Sequence, residues 1–84
     1  MLLHYTSHFL RNARKLSKSE RSQLLKAVEK FENDPFAAAL KTHKLQGNLN
    51  ESWAFSVNYK LRVLFRFMEK NEALLYEVGG HSIY

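Results

Sequence analysis

The sequence predicts an α+β fold: a short N-terminal strand, an α-helical hairpin, and a C-terminal antiparallel three-stranded meander that joins the strand in one small sheet. Three observations predict it. Ser17-Lys18-Ser19-Glu20 has the Ser-x-x-Glu spacing of a capping box at the head of an amphipathic run. Asn33-Asp34-Pro35 closes that run, because proline disfavours helical geometry in the residue before it. From Trp53 onward the apolar residues alternate strictly, the two-residue period of a strand with one buried face.

Leu2, Leu3, His4 and Tyr5 read as the first strand. Thr6 or Ser7 can then cap a helix with Phe9, Leu10, Ala13 and Leu16 on one side and Arg11, Arg14 and Lys15 on the other. The second helix starts at the capping box and carries the stripe Leu24, Leu25, Val28 and Phe31. Phe36 to Leu40 is a connection with room for one further turn. Trp53, Phe55, Val57 and Tyr59 alternate with Ala54, Ser56 and Asn58, and Leu61, Val63, Phe65 and Phe67 alternate with Arg62, Leu64 and Arg66. These two strands pair, with a turn near Asn58 to Lys60. Glu69-Lys70-Asn71-Glu72 is turn-like, and Ala73 to Val78 forms the last strand, stopping at Gly79-Gly80. Such close spacing with short polar turns implies antiparallel pairing.

A chain of 84 residues has room for one domain, residues 1–84, with a modest core. One Trp, four Tyr and six Phe make that core aromatic-rich. Cysteine is absent, which excludes a disulfide framework, a thiolate nucleophile and a cysteine zinc site. No carboxylate cluster suggests a metal either, so neither metal nor cofactor is expected. No apolar run approaches the roughly 20 residues of a spanning helix, and the N-terminus lacks the pattern of a signal peptide, so a cytoplasmic location without membrane attachment is expected. The formal net charge of +5 favours a polyanionic partner.

Several residues are candidates for chemistry. Arg62 and Arg66 fall on one strand face about 13 Å apart, and guanidinium forks match phosphate oxygens. Leu64 lies between them, and an apolar residue on that row suggests a partly covered cleft. His43 stands between Lys41 and Lys44, just ahead of Leu45 and Gly47. His81 follows two glycines that let the backbone bend closely around a ligand, and Tyr84 ends the sequence. Taken singly, each is more often structural or solvated than functional; Trp53 and Gly47 are read as core and turn, and Glu51 as a further acid–base group or a solvated charge. No phosphate-binding glycine loop, nucleophile elbow or paired-carboxylate signature is present.

Taken together, His43-Lys44-Leu45-Gln46-Gly47, Trp53-Ala54-Phe55-Ser56-Val57, Arg62-Val63-Leu64-Phe65, Val78-Gly79-Gly80-His81 and Tyr84 resemble the RelE/ParE superfamily of type II toxin–antitoxin toxins. The resemblance is strongest to the YafQ-like and RelE/StbE messenger-RNA interferases and covers essentially the whole chain. It implies a RelE/ParE-like fold and a ribosome-dependent endoribonuclease that cleaves mRNA without metal, by 2′-hydroxyl attack to a 2′,3′-cyclic phosphate. It also implies a cognate antitoxin, acidic and encoded adjacently. His43 matches the histidine before Leu-x-Gly that takes part in catalysis. Arg62 matches the strand arginine on the scissile phosphate, and His81 the near-terminal histidine of a His-x-x-x-Tyr or His-x-x-x-Phe ending.

On that resemblance His43 is the base, Arg62 with Lys44 and Arg66 the phosphate ligands, and His81 the acid, the two histidines being interchangeable. Lys41 adds substrate-binding charge, and Tyr84 stacks on or bonds a base. The ending His81-Ser82-Ile83-Tyr84 is one residue shorter than the pattern, and Glu77 sits where YafQ-like members can carry an arginine. The alternatives on the same fold are a ParE-like inhibitor of DNA gyrase and a catalytically weak antitoxin-binding protein.

Overall fold

The computed structural model describes residues 1–46, 51–80 and 83. The element order is β1 (Leu2–Tyr5), α1 (Ser7–Arg14), α2 (Lys18–Asn33), a 3-10 turn at Ala38–Leu40, β2 (His43–Lys44), β3 (Trp53–Ser56), β4 (Arg62–Phe67) and β5 (Glu72–Gly79). The strands form one sheet in the order β1-β5-β4-β3-β2. All neighbours are antiparallel except β1 and β5, which run parallel, as the helical crossover between the first strand and the meander permits.

Both helices start where their caps require. Thr6 accepts from the Phe9 amide at 3.0 Å. Ser17 accepts from the Glu20 amide at 3.1 Å while the Glu20 carboxylate accepts from the Ser17 amide at 2.9 Å, a complete capping box. α2 stops at Asn33, two residues before Pro35.

The helices cover one sheet face. Phe9, Leu24, Ala27 and Phe31 from the helices pack with Leu40, Phe55, Val63, Phe65, Ala73, Leu75 and Val78. Phe31 is the centre of this core: it is fully buried, stacked on Phe55 at 4.5 Å and edge-on to Phe65 at 4.6 Å. The predicted α2 stripe needs one correction, since Leu25 is 66% exposed and Ala27 takes the core position. The inward arc of α2 is narrower than four large residues. Leu10 is likewise exposed on α1.

The sheet differs from the expected one in two ways. β2 adds a fifth, two-residue strand at the edge, within the segment read as lead-in to Gly47; an edge strand this short leaves little unpaired backbone. β3 ends at Ser56, not Tyr59, and Tyr59 is 84% exposed. The reason is local: the Asn58 side-chain oxygen accepts from the Lys60 and Leu61 amides at 2.8 Å each, which turns the chain early.

Candidate functional site

Residue pairing defines which side chains share the face that the helices leave uncovered. His43 is opposite Ala54, and Ala54 opposite Leu64, so these three form one row across β2, β3 and β4. Ser56, Arg62 and Gly79 form the row on one side, and Arg66, Leu74 and His4 a row on the other. Arg62 and Arg66 therefore flank Leu64 on the uncovered face, as the alternation predicts. From sheet spacings, the Cα atoms of His43 and Arg62 are about 12 Å apart.

Leu64 is only 2% exposed although no helix covers it. Leu45, Ala54, Tyr76 and Ile83 close over it. Tyr76 reaches this cluster through an irregularity in which Leu64 pairs with Glu77 and Phe65 with Leu75, leaving Tyr76 as the extra residue of β5. Its hydroxyl is 2.6 Å from the Oγ of buried Ser52. The apolar floor of the cleft, inferred from Leu64 alone, is thus built from three strands, the residue that follows β2 and the last turn.

His43 is exposed, and its Nδ1 lies 2.9 Å from the Lys41 carbonyl oxygen. A carbonyl oxygen only accepts, so Nδ1 carries the proton and donates, which leaves Nε2 of the neutral ring as a basic lone pair. Lys41 adopts φ 51° to present that carbonyl. The role of Lys41 in this arrangement comes from its backbone, which the charge pattern did not reveal.

The Arg62 guanidinium is half-buried and anchored. Its Nη1 donates to the carbonyl oxygens of Asn58 at 2.6 Å and Leu61 at 3.2 Å. Both Nη1 donors are so engaged, and the Nε–Nη2 edge keeps the parallel pair of N–H groups that grips an oxyanion. Arg66 is exposed, and neither arginine has a carboxylate partner among the described residues.

Lys44 pairs with Trp53, so its side chain leaves the sheet on the face opposite to His43. The structure does not bring it to the Arg62 row. Glu51 is exposed at φ 65°. Trp53 is half-buried among Phe36, Phe65 and Phe67. Gly47, His81 and Tyr84 lie outside the described residues.

Glu77 stood out in the sequence, but its partners did not. Glu77, beside the β5 irregularity, accepts from His8 Nε2 at 2.7 Å, Asn12 Nδ2 at 2.7 Å and the Val78 amide at 3.0 Å. Burial raises its pKa, but the three hydrogen bonds and the His8 charge outweigh burial and hold it below the ordinary glutamate value of 4.5. The fastening joins α1 to the start of the C-terminal segment. Residues 65 or more apart in sequence make it, and no local pattern could have paired them.

Comparison with solved structures places this architecture. The "YoeB/ParE toxin" of Agrobacterium tumefaciens superposes with a TM-score of 0.80 at 15% identity, over 96% of this chain and 99% of that one. The chain has the RelE/ParE toxin fold. The Escherichia coli RelBE toxin–antitoxin complex gives 0.72 at 22% identity, over 94% of each chain. YafQ of E. coli gives 0.65 at 17%, over 96% of this chain and 93% of that one. No family model matches the sequence, nor does any curated protein. The superpositions span nearly the whole chain, and with it the sheet whose uncovered face carries His43, Arg62 and Arg66.

Proposed function

We propose that this chain is the toxin of a type II toxin–antitoxin pair and acts as a metal-independent, ribosome-dependent endoribonuclease on mRNA. The observation that carries the reading is His43 with its Nδ1 proton fixed by Lys41, on the same uncovered face as the anchored Arg62. In-line cleavage of RNA needs a base for the 2′-hydroxyl, a cation for the charge developing on the phosphorane, and an acid for the leaving 5′-oxygen. His43 Nε2 takes the 2′-hydroxyl proton, and the Nε–Nη2 edge of Arg62 holds the phosphate with Arg66 beside it. His81 returns a proton to the leaving oxygen, giving a 2′,3′-cyclic phosphate and a 5′-hydroxyl, and Tyr84 stacks on a base. Lys41 and Lys44 add attraction for the backbone without contacting the reacting phosphate.

The fold likeness supports an antitoxin partner, since RelE is seen in complex with RelB and the YoeB of Staphylococcus aureus with YefM. By that analogy, an acidic protein encoded beside this chain silences it. The location is cytoplasmic, where ribosomes and mRNA are; among the described residues no helix is long and apolar enough to cross a membrane.

The test is mRNA cleavage in a translation extract, mapped by primer extension with end-group analysis and repeated without ribosomes. Cuts that require ribosomes, end in cyclic phosphate and vanish in His81→Ala support the reading. Intact messages together with inhibited gyrase would replace it with the ParE-like alternative. Intact messages with active gyrase would leave an antitoxin-binding protein.

A further inference from the structure

Tyr59 is, at 84%, the most exposed large apolar side chain among the described residues. It stands in the β3–β4 turn, on a backbone fixed from several sides. Asn58 Oδ1 accepts from the Lys60 and Leu61 amides, Asn58 Nδ2 donates to Oε1 of Gln23 on α2, and the Val57 amide donates to the Leu61 carbonyl at 2.9 Å. Arg62 is built into the same turn, since its Nη1 donates to the Asn58 and Leu61 carbonyls. Tyr59 and Arg62 are three residues apart, so their Cα atoms lie within about 11 Å. The turn also abuts the C-terminal segment: a Cβ built at Gly80 would stand 3.8 Å from the Lys60 carbonyl oxygen. Folding does not call for a ring at this position. Asn58 supplies the turn's chemistry, and a side chain left in water buries no apolar surface. Lys60 beside it is exposed, and neither Lys60 nor Arg62 pairs with a carboxylate among the described residues.

We propose, on the footing of the nuclease reading, that Tyr59 is a stacking platform for one base of single-stranded RNA, the base beside the phosphate that Arg62 holds, with Lys60 on a neighbouring phosphate. Unpaired bases splayed from a single strand stack on aromatic side chains. A ring among unpaired cations matches the alternation of base and phosphate along such a strand. Because the turn is already fixed by Asn58, the ring gives up little freedom when a base lands on it. The hydrogen bonds from Arg62 to the same turn tie the position of the ring to that of the guanidinium, so the stack sets the register of the strand on Arg62. Stacking engages the face of a base and not its edge, so Tyr59 adds affinity and register without reading sequence.

The test uses a short single-stranded RNA with 2′-O-methyl riboses, which offers no 2′-hydroxyl to attack, titrated into the protein while the Tyr59 ring protons are followed by NMR. Expected are upfield shifts of that ring and binding about tenfold weaker for Tyr59→Ala and Tyr59→Leu. Tyr59→Phe, which keeps the ring, should bind within about threefold of wild type. The side chain is exposed, so each variant folds, as retained amide dispersion shows. An unmoved ring, Tyr59→Leu binding as well as wild type, or Tyr59→Phe binding as weakly as Tyr59→Ala would each overturn the proposal. Cleavage in the translation extract separates the two readings. A ring that shifts in a protein that leaves messages intact supports the stack and removes the nuclease. Ribosome-dependent cutting undiminished in Tyr59→Leu, with an unmoved ring, keeps the nuclease and removes the stack.

Discussion

The Glu77 Oε2 atom lies 2.7 Å from His8 Nε2, joining the first turn of α1 to the irregular strand that leads into the C-terminal segment. A carboxylate accepts, so His8 carries its proton on Nε2. Asn12 Nδ2 lies 3.2 Å from that same nitrogen, which carries a proton and cannot accept, so Asn12 donates to Glu77 Oε1 at 2.7 Å instead. Because the folded-state pKa of Glu77 is depressed, its stabilisation is fully present above the unfolded value and is lost as pH falls through the folded value. Glu77→Gln, which loses the charge-assisted bond to half-exposed His8 and keeps one oxygen as acceptor, should reduce stability at pH 7 by about 0.5–1.5 kcal/mol and show a shallower loss below pH about 4.5. Urea midpoints at pH 7, 5 and 3.5 measure both. Parallel losses in the two proteins would mean that other carboxylates set the acid limb.

Phe31 and Leu25 were equal members of the α2 stripe in the sequence, and the structure separates them completely. Phe31→Ala removes a fully buried ring in contact with Phe55 and Phe65 and should cost about 3–5 kcal/mol, enough to unfold a chain this small at ambient temperature. Leu25→Ala, at a site 66% exposed, should stay within about 0.5 kcal/mol. Thermal melts of the pair decide it.

That contrast marks how far the sequence could be read. Thr6, the Ser17–Glu20 box and Pro35 set both helices, because caps and prolines act over three or four residues. The alternation around Phe55 and Phe65 set the meander for the same reason. β2 was not readable, since two residues carry no period, and the early stop of β3 came from the Asn58 side chain. At the candidate site, the facing of Arg62 and Arg66 follows from alternation. The Lys41 carbonyl that orients His43, the Tyr76–Ser52 contact under the cleft and the Glu77 fastening arise from chain crossings that no local pattern encodes.

Gly79 is fixed by what lies against it. A Cβ built there would stand 2.7 Å from Cγ2 of Ile83, which folds back as its amide donates to the Gly80 carbonyl at 3.2 Å. Gly79→Ala should lift Ile83 off Leu64 and Tyr76 and speed amide exchange of the last turn. Global stability should fall by about 0.5–2 kcal/mol, since the obstacle is the end of a side chain. Unchanged exchange at Ile83 would show that the isoleucine adapts by rotation alone.

The nuclease reading assigns His43 and Arg62 different tasks, and substitutions should separate them. His43→Ala removes the base and should lower single-turnover cleavage by about 10²–10⁴-fold with little change in RNA affinity. Arg62→Lys keeps the charge but loses the Nε–Nη2 fork and the anchors on Asn58 and Leu61, so both cleavage and phosphate affinity should fall. Lys44→Ala, on the opposite face, should weaken binding at low salt while leaving the chemical step within about threefold. A Lys44→Ala defect as deep as that of His43→Ala would mean that β2 presents its other face to the message, and the base would have to be sought elsewhere.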